Sequence, residues 1–301
     1  MDIPTLFSYS EAFSRNRGLI SQEEQLRLAS SRVVIAGCGG VGGCHAHTLA
    51  RLGIGKFRLC DPDSYSVGNF NRQFGAMMNT LNQNKAKVTA DIIKSINPEA
   101  EVEYWEQGVD KNNVQAFLSG ADLVVDGIDF FTIDARRTLF SAARVSGIPA
   151  MTAAPLGFSG TLHVFMPGGM SFDQYFDISD DKEYLDKIVH FIIGLAPRAL
   201  HINYMDLRNV DPSTGRGPSS VIGVQQAACL LGAQAVNILL NRGGVPVAPR
   251  FIQFDAYRQK LANGRIRRGN KSILQRLKKH LLLRKLNEIG LTESFLRLSN
   301  G

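Results

Sequence analysis

Apolar positions in this chain recur in two rhythms, and the points where one gives way to the other predict the elements. Short apolar runs predict strands over Arg32–Ala36, Lys56–Cys60, Glu101–Trp105 and Leu123–Asp126. Longer stretches with helical spacing predict helices over 41–52, Lys85–Ile96, 112–118 and 135–145. Asn97-Pro98 stops the second of these and Gly147 caps the last. A further strand begins at 149–153, and 161–165 forms another, turned by Pro167-Gly168-Gly169. Strand and helix in alternation argue for a doubly wound α/β fold, with a mostly parallel sheet and helices on both faces. The rhythm breaks over 166–218, a crossover elaboration with an acidic patch from Asp173 to Asp186 and an apolar run at 188–196. Residues 222–240 then read as a long helix rich in small residues and packed closely on the sheet, and 250–254 as a last strand. Residues 1–30 are polar with a helix near 22–29, an N-terminal arm. An α/β body over 31–260 follows, and then an extension over 261–301, whose Leu/Ile and Lys/Arg alternation at 273–289 predicts a basic amphipathic helix.

Composition changes this picture little. The 301 residues suffice for one large α/β domain with an elaboration, and 44% apolar with 20% charged residues is ordinary for a globular chain. No window approaches the run of about eighteen apolar residues that suggests a membrane span. The opening Met-Asp-Ile-Pro-Thr-Leu-Phe lacks the basic flank and apolar core of a secretory signal. Cys38, Cys44, Cys60 and Cys229 form no CxxC pair, so neither zinc nor a disulfide framework is expected, and cytoplasmic residence is the simplest expectation. The six histidines show no metal-ligand spacing.

Charge is unevenly placed. From Arg265 onward there are ten Lys/Arg and two Glu, or +8, against a net charge of +7 for the whole chain, so the rest carries −1. The basic character belongs to the tail and not to the α/β body. It admits RNA contact, docking on an anionic membrane surface, or a solvated extension.

The chemistry concentrates where the first strand meets its helix. Gly37, Gly39 and Gly42 satisfy the GxGxxG spacing between strand and helix, a Rossmann-like arrangement that offers backbone N–H groups to a phosphate. Gly40 belongs to the same turn. The turn alone serves NAD, FAD and ATP sites equally. Asp61 ends the second strand, where a carboxylate can accept from a ribose diol, and a turn role in Asp61-Pro62-Asp63 is the competing account. Asn69, Arg72 and Gln73 supply groups suited to phosphate and ribose oxygens. Lys85 opens a helix, a poor place for a cation in dipole terms unless a phosphate lies nearby. Asp126 and Asp129 follow the fourth strand on the carboxyl side of the sheet, where a carboxylate can hold Mg²⁺ beside a triphosphate. Such a set suits nucleotidyl transfer, whereas hydride transfer calls for a positioned acid/base and less positive charge.

These residues resemble the ThiF/MoeB/HesA superfamily, prokaryotic relatives of ubiquitin-activating enzymes, from about Ser14 to Leu240. The motifs that agree in order are Gly37-Cys38-Gly39-Gly40-Val41-Gly42, the Asp61/Asp63 turn, Asn69-Phe70-Asn71-Arg72-Gln73, Lys85, Ile96-Asn97-Pro98 and Asp126-Gly127-Ile128-Asp129. The resemblance implies ATP-dependent adenylation of a carboxylate, with Asp61 on the ribose, and Asn69, Arg72 and Lys85 on the phosphates. Asp129 would assist Mg²⁺. It also implies a homodimer in which an N-terminal arginine, here Arg15 with Arg17 as runner-up, crosses to the partner's ATP. Carboxylates on a peptide, a small protein, a small molecule or a tRNA base all fit that half reaction.

The chain departs from the family pattern at several points. Phe130 follows Asp129 where many relatives carry Asn, and the next arginine is Arg136. The zinc-binding CxxC pairs of the sulfur-carrier adenylators are missing. No cysteine lies between Cys60 and Cys229, so no thioester nucleophile is expected in the crossover. A nucleotide-binding scaffold without turnover and a nicotinamide oxidoreductase are the alternative readings.

Overall fold

A strand covered on both faces must be apolar throughout, and Val33, Val34 and Ile35 are fully buried in the computed structural model. The structure describes residues 7–215, 217–292 and 295. Its elements begin with α1 (Tyr9–Ala12), α2 (Gln22–Ser30), β1 (Arg32–Ala36), α3 (Gly40–Arg51), β2 (Lys56–Cys60), α4 (Lys85–Ile96) and β3 (Glu101–Trp105). They continue with α5 (Val114–Leu118), β4 (Leu123–Asp126), α6 (Ile133–Val145), β5 (Ala150–Leu156) and β6 (Ser159–Phe165). The crossover contributes α7 (Phe172–Phe176) and α8 (Tyr184–Leu195). Then come α9 (Val221–Leu239), β7 (Arg250–Asp255), β8 (Lys260–Arg265) and α10 (Ile273–Glu288).

One sheet runs β3-β2-β1-β4-β5-β6-β7-β8. The first five strands pair in parallel, and β5 through β8 pair antiparallel. The chain leaves β1 in one direction to β2 and β3, then returns to place β4 on the other side. The β1/β4 border is therefore the switch point at which doubly wound sheets bind ligands. Val33 and Ile35 face one core with Leu49, Leu59 and Leu231, while Val34 and Ala36 face a second with Phe117, Leu139, Phe176 and Phe191. That alternation follows from the two-residue period of a strand.

Small residues set the approach of α9. A Cβ on Gly160 of β6 would lie 2.6 Å from the Ala227 nitrogen, so the helix backbone rests directly on the strand. By length and composition α9 is long and apolar enough to cross a membrane, but here it lies along α3, β5 and β6. The N-terminal arm is fixed by a capping box at Ser21 and Glu24, by fully buried Leu28, and by the Tyr9 hydroxyl donating to Gly53 O at 2.6 Å.

The crossover begins with the packed helices α7 and α8 and continues through short 3-10 turns at Leu200–Asn203, Leu207–Asn209 and Pro212–Thr214. Several of its acidic side chains are paired: Arg137 of α6 with Asp173 at 2.9 Å and Asp180 at 2.7 Å, and Lys279 of α10 with Asp186. The segment over 261–301 begins by completing the sheet as β8. Buried Asn270 then donates to the carbonyls of Phe176 and His190, tying the approach to α10 onto the crossover.

Candidate active site

Gly37 leaves β1 at φ +88°, and a Cβ there would lie 2.2 Å from Gly127 O. At Gly42 the conflict is tighter: a Cβ would stand 1.8 Å from Gly37 O. These two glycines let α3 start against the strand ends, while Gly39 and Gly40 face side chains. The Cβ position of Gly39 is 3.7 Å from the Gln73 amide, and that of Gly40 is 3.7 Å from Arg72 Cγ. The structure thus stands Arg72 and Gln73 over the first turn of α3, whose leading N–H groups lack helical acceptors. Gln73 Oε1 is buried there with no hydrogen-bond partner among the described residues. A buried orphan acceptor is costly, so this atom suits a ligand donor or a water at the site.

Arg72 is aimed by its own turn, donating from Nη1 to Gly68 O at 3.0 Å and to Asn71 Oδ1 at 2.9 Å. Asn71 in turn donates to Ser219 O at 3.0 Å, joining this turn to the entry of α9. Asn69 caps the same turn, its Oδ1 accepting from Ser66 N–H at 3.0 Å and its carbonyl from Gln73 N–H at 2.9 Å.

On the β2 side, Asp61 is buried and accepts from Cys38 N–H at 2.6 Å and Asp63 N–H at 2.8 Å. Burial raises its pKa, and these two N–H groups oppose the rise. The carboxylate therefore staples the glycine turn to β2, and ribose contact would use its remaining lone pairs. Lys85 is buried at the start of α4 with its ammonium 2.8 Å from exposed Asp63. Asp63 thus already offsets the dipole cost that the sequence assigned to a phosphate. Asn84 caps α4 and donates to Asp61 O at 2.8 Å, a contribution that its place one residue before Lys85 could have announced.

On the β4 side, the backbone of Gly127 lies against Gly37 and Gly42, bringing the Asp126–Asp129 turn up to the glycine turn. Asp126 is not available to a metal. Its Oδ2 receives Arg136 Nε at 2.7 Å, both side chains being almost fully buried, and its Oδ1 accepts from Ile128 N–H. Arg136 also donates to the carbonyls of Ile128 (2.5 Å), Asp129 (3.3 Å) and Phe130 (3.4 Å), and its guanidinium lies 4.6 Å from the Phe191 ring centroid. Phe130 packs on Phe131 and Phe191, so the departure from the family pattern fills the interface with α8. Asp129 remains exposed, with Oδ1 accepting from Phe131 N–H at 3.0 Å. Sequence reasoning saw Arg136 only as a displaced arginine, because its partners lie in a different turn.

Arg15 is not brought into this site. Its neighbour Asn16 donates to Leu52 O beyond the far end of α3, which is 12 residues, or ~18 Å, from the glycine turn. Cys38, Cys44 and Cys60 are buried, with the Cys44 and Cys60 thiols pushed up to about 12 by burial, so none is a ready nucleophile. Cys229 is exposed on α9. Among the described residues no group of three or more His, Cys, Asp or Glu side chains is placed to hold a metal.

The SAMP-activating enzyme E1 of Haloferax volcanii is 35% identical over 150 residues, covering 50% of this chain and 55% of the relative. The tRNA threonylcarbamoyladenosine dehydratase of Escherichia coli is 32% identical over 151 residues, covering 50% and 56%. The chain thus matches little more than half the length of these curated relatives. The crystal structure of the E. coli dehydratase with ATP superposes with a TM-score of 0.59 at 20% identity, over 80% of this chain and 98% of that one. The structure of PaaA does so at 0.66 and 20%, over 88% and 86%. The ThiF family model matches residues 13–274, and the chain belongs to the ThiF family.

Proposed function

We propose that this chain binds ATP at the β1/β4 switch point and transfers AMP to a substrate carboxylate. One observation carries the reading: Arg72 and Gln73, with its unpartnered Oε1, stand over the first turn of α3, and the turn that bears exposed Asp129 meets Gly37 and Gly42 through Gly127. Such a cradle suits a polyphosphate, with backbone N–H groups on one side and a guanidinium on the other. A carboxylate oxygen of the substrate attacks the α-phosphorus, the bond to the β-phosphate oxygen breaks, and pyrophosphate leaves. Arg72 and Lys85 would hold the phosphates in line and offset the charge that develops on the leaving group. Asp129 would hold Mg²⁺, which when bound neutralises phosphate charge.

The activities for which the relatives are named support both halves. One is a SAMP-activating enzyme, one a tRNA-modifying dehydratase, and a crystal structure of the latter holds ATP. The substrate class is accordingly a carboxylate on a protein or peptide, a small molecule or a tRNA base. With Arg15 at the opposite end of α3 from its own glycine turn, that side chain could serve only the nucleotide of a second copy, and a homodimer is part of the proposal. The test is carboxylate-dependent ATP–pyrophosphate exchange. It is expected in the intact chain and lost in Arg72→Ala and Asp129→Ala. ATP binding without exchange across a broad set of carboxylates would turn the reading to a nucleotide-binding scaffold.

A further inference from the structure

Helix α10 carries aliphatic side chains on two sides. Its inward side packs Leu282, Leu283 and Leu286 against the core shared with the crossover, and Gln275, 2% exposed, donates there to Ile193 O at 2.9 Å and Asn270 Oδ1 at 3.0 Å. Lys278 donates to Pro197 O, and Lys279 pairs with Asp186. Its outward side carries a second aliphatic set, with Ile273 86%, Leu274 58%, Leu277 53% and Leu281 54% exposed. Ile273, Leu277 and Leu281 recur every fourth residue, with Leu274 beside them, so the four form one continuous stripe. Scattered exposed leucines are ordinary, whereas a contiguous stripe marks an interaction surface.

The charge around the stripe selects its occupant. Exposed Arg276 and His280 run along it, Arg284 and Lys285 close its C-terminal end, and exposed Arg267, Arg268 and Lys271 precede it. The acidic residue on this helix is Glu288, which pairs with Arg284 at 3.0 Å. A second copy docked through the same stripe would set these cations against their own kind. RNA has no use for four aliphatic side chains at the centre of its footprint. A lone convex helix face offers no pocket for the anchor residue of a protein partner. An anionic lipid surface takes both features at once, the aliphatics entering below the headgroups and the cations meeting phosphate.

We propose that α10 docks the chain on anionic membrane surfaces through Ile273, Leu274, Leu277 and Leu281, with the surrounding arginines and lysines on lipid phosphate. The inference is independent of adenylation, since it is read without ATP. The test is co-sedimentation of the full chain with vesicles of phosphatidylglycerol and phosphatidylcholine in equal parts, against phosphatidylcholine alone. Binding is expected to the anionic vesicles and to fall as salt is raised. The double substitution Leu277→Glu with Leu281→Glu should reduce it by about tenfold or more, while circular dichroism and the urea midpoint, which monitor folding, stay unchanged. Arg276→Glu with Arg284→Glu should weaken anionic binding in the same sense. No sedimentation with anionic vesicles, or equal binding to neutral ones, would overturn the proposal. So would a leucine-dependent dimer without lipid binding, or tRNA binding that survives the leucine substitutions and displaces the vesicles.

Discussion

Arg136 does for the Asp129 turn what a crosslink would do, through one side chain. Its guanidinium gathers the Asp126 carboxylate and three successive carbonyls, those of Ile128, Asp129 and Phe130. Removing one partner of a buried ion pair leaves an uncompensated charge and costs about 3–5 kcal/mol, whereas replacing both with apolar groups can be nearly neutral. Arg136→Met should therefore lower unfolding stability by about that amount, and Asp126→Leu with Arg136→Met should recover much of it. Exchange activity should not recover with it, because the carbonyls that shape the turn lose their donor in both variants. Urea denaturation and pyrophosphate exchange, run on the same three proteins, separate the two effects. If activity returns together with stability, Arg136 is a packing residue and positions nothing. The sequence could not announce this role: Asp126 looks like a second metal ligand until its partner is seen ten residues on, across the turn.

Among elements, what could be read from the chain was what local physics decides. The strands β1, β2, β3 and β4 and the helix α4 begin and end where short apolar runs, Asn97-Pro98 and Gly127 place them. The glycine turn was legible because its spacing is imposed by backbone contact, as the Cβ conflicts at Gly37 and Gly42 confirm. β8 was not legible. Lys260-Leu261-Ala262-Asn263-Gly264-Arg265 has little strand propensity, and it is the pairing with β7 at the sheet edge that makes it a strand. The pairing of the acidic patch was not legible, because Arg137, which binds Asp173 and Asp180, comes from another helix. For α10 the alternation of aliphatic and basic residues showed two faces, but not which would turn inward. Leu282, Leu283 and Leu286 turn onto the crossover core, with Gln275 tied in beside them, and Ile273, Leu274, Leu277 and Leu281 are left outside. Of the candidate site, Arg72, Gln73 and Asp61 do meet the glycine turn, whereas the engagement of Asp63 with Lys85 and of Asp126 with Arg136, and the place of Arg15 away from the turn, needed the fold.

The whole molecule carries a pH dependence in its buried imidazoles. Burial pushes His45 and His163 down to about 3 and His201 to about 4, from an ordinary value near 6.5. Each stays neutral in the folded chain and takes up a proton on unfolding, so below about pH 6.5 the unfolded state binds more protons and stability falls with acidification. Each group contributes a slope of up to about 1.4 kcal/mol per pH unit in that window. The thermal midpoint should drop steadily from about pH 7 to about pH 5, and a flat profile would show that these histidines titrate normally. Assembly sets the other molecular property. If Arg15 serves a second copy, a mixture of Arg15→Ala and Arg72→Ala chains should regain exchange that neither has alone, because a mixed pair contains one complete site. No regain on mixing, with each variant still folded, would remove Arg15 from the chemistry. The separation of Arg15 from its own glycine turn along α3 then reaches into the rate law. An enzyme completed by its neighbour has a specific activity that depends on its own concentration. Dilution alone, with every chain folded and ATP in excess, would switch it off.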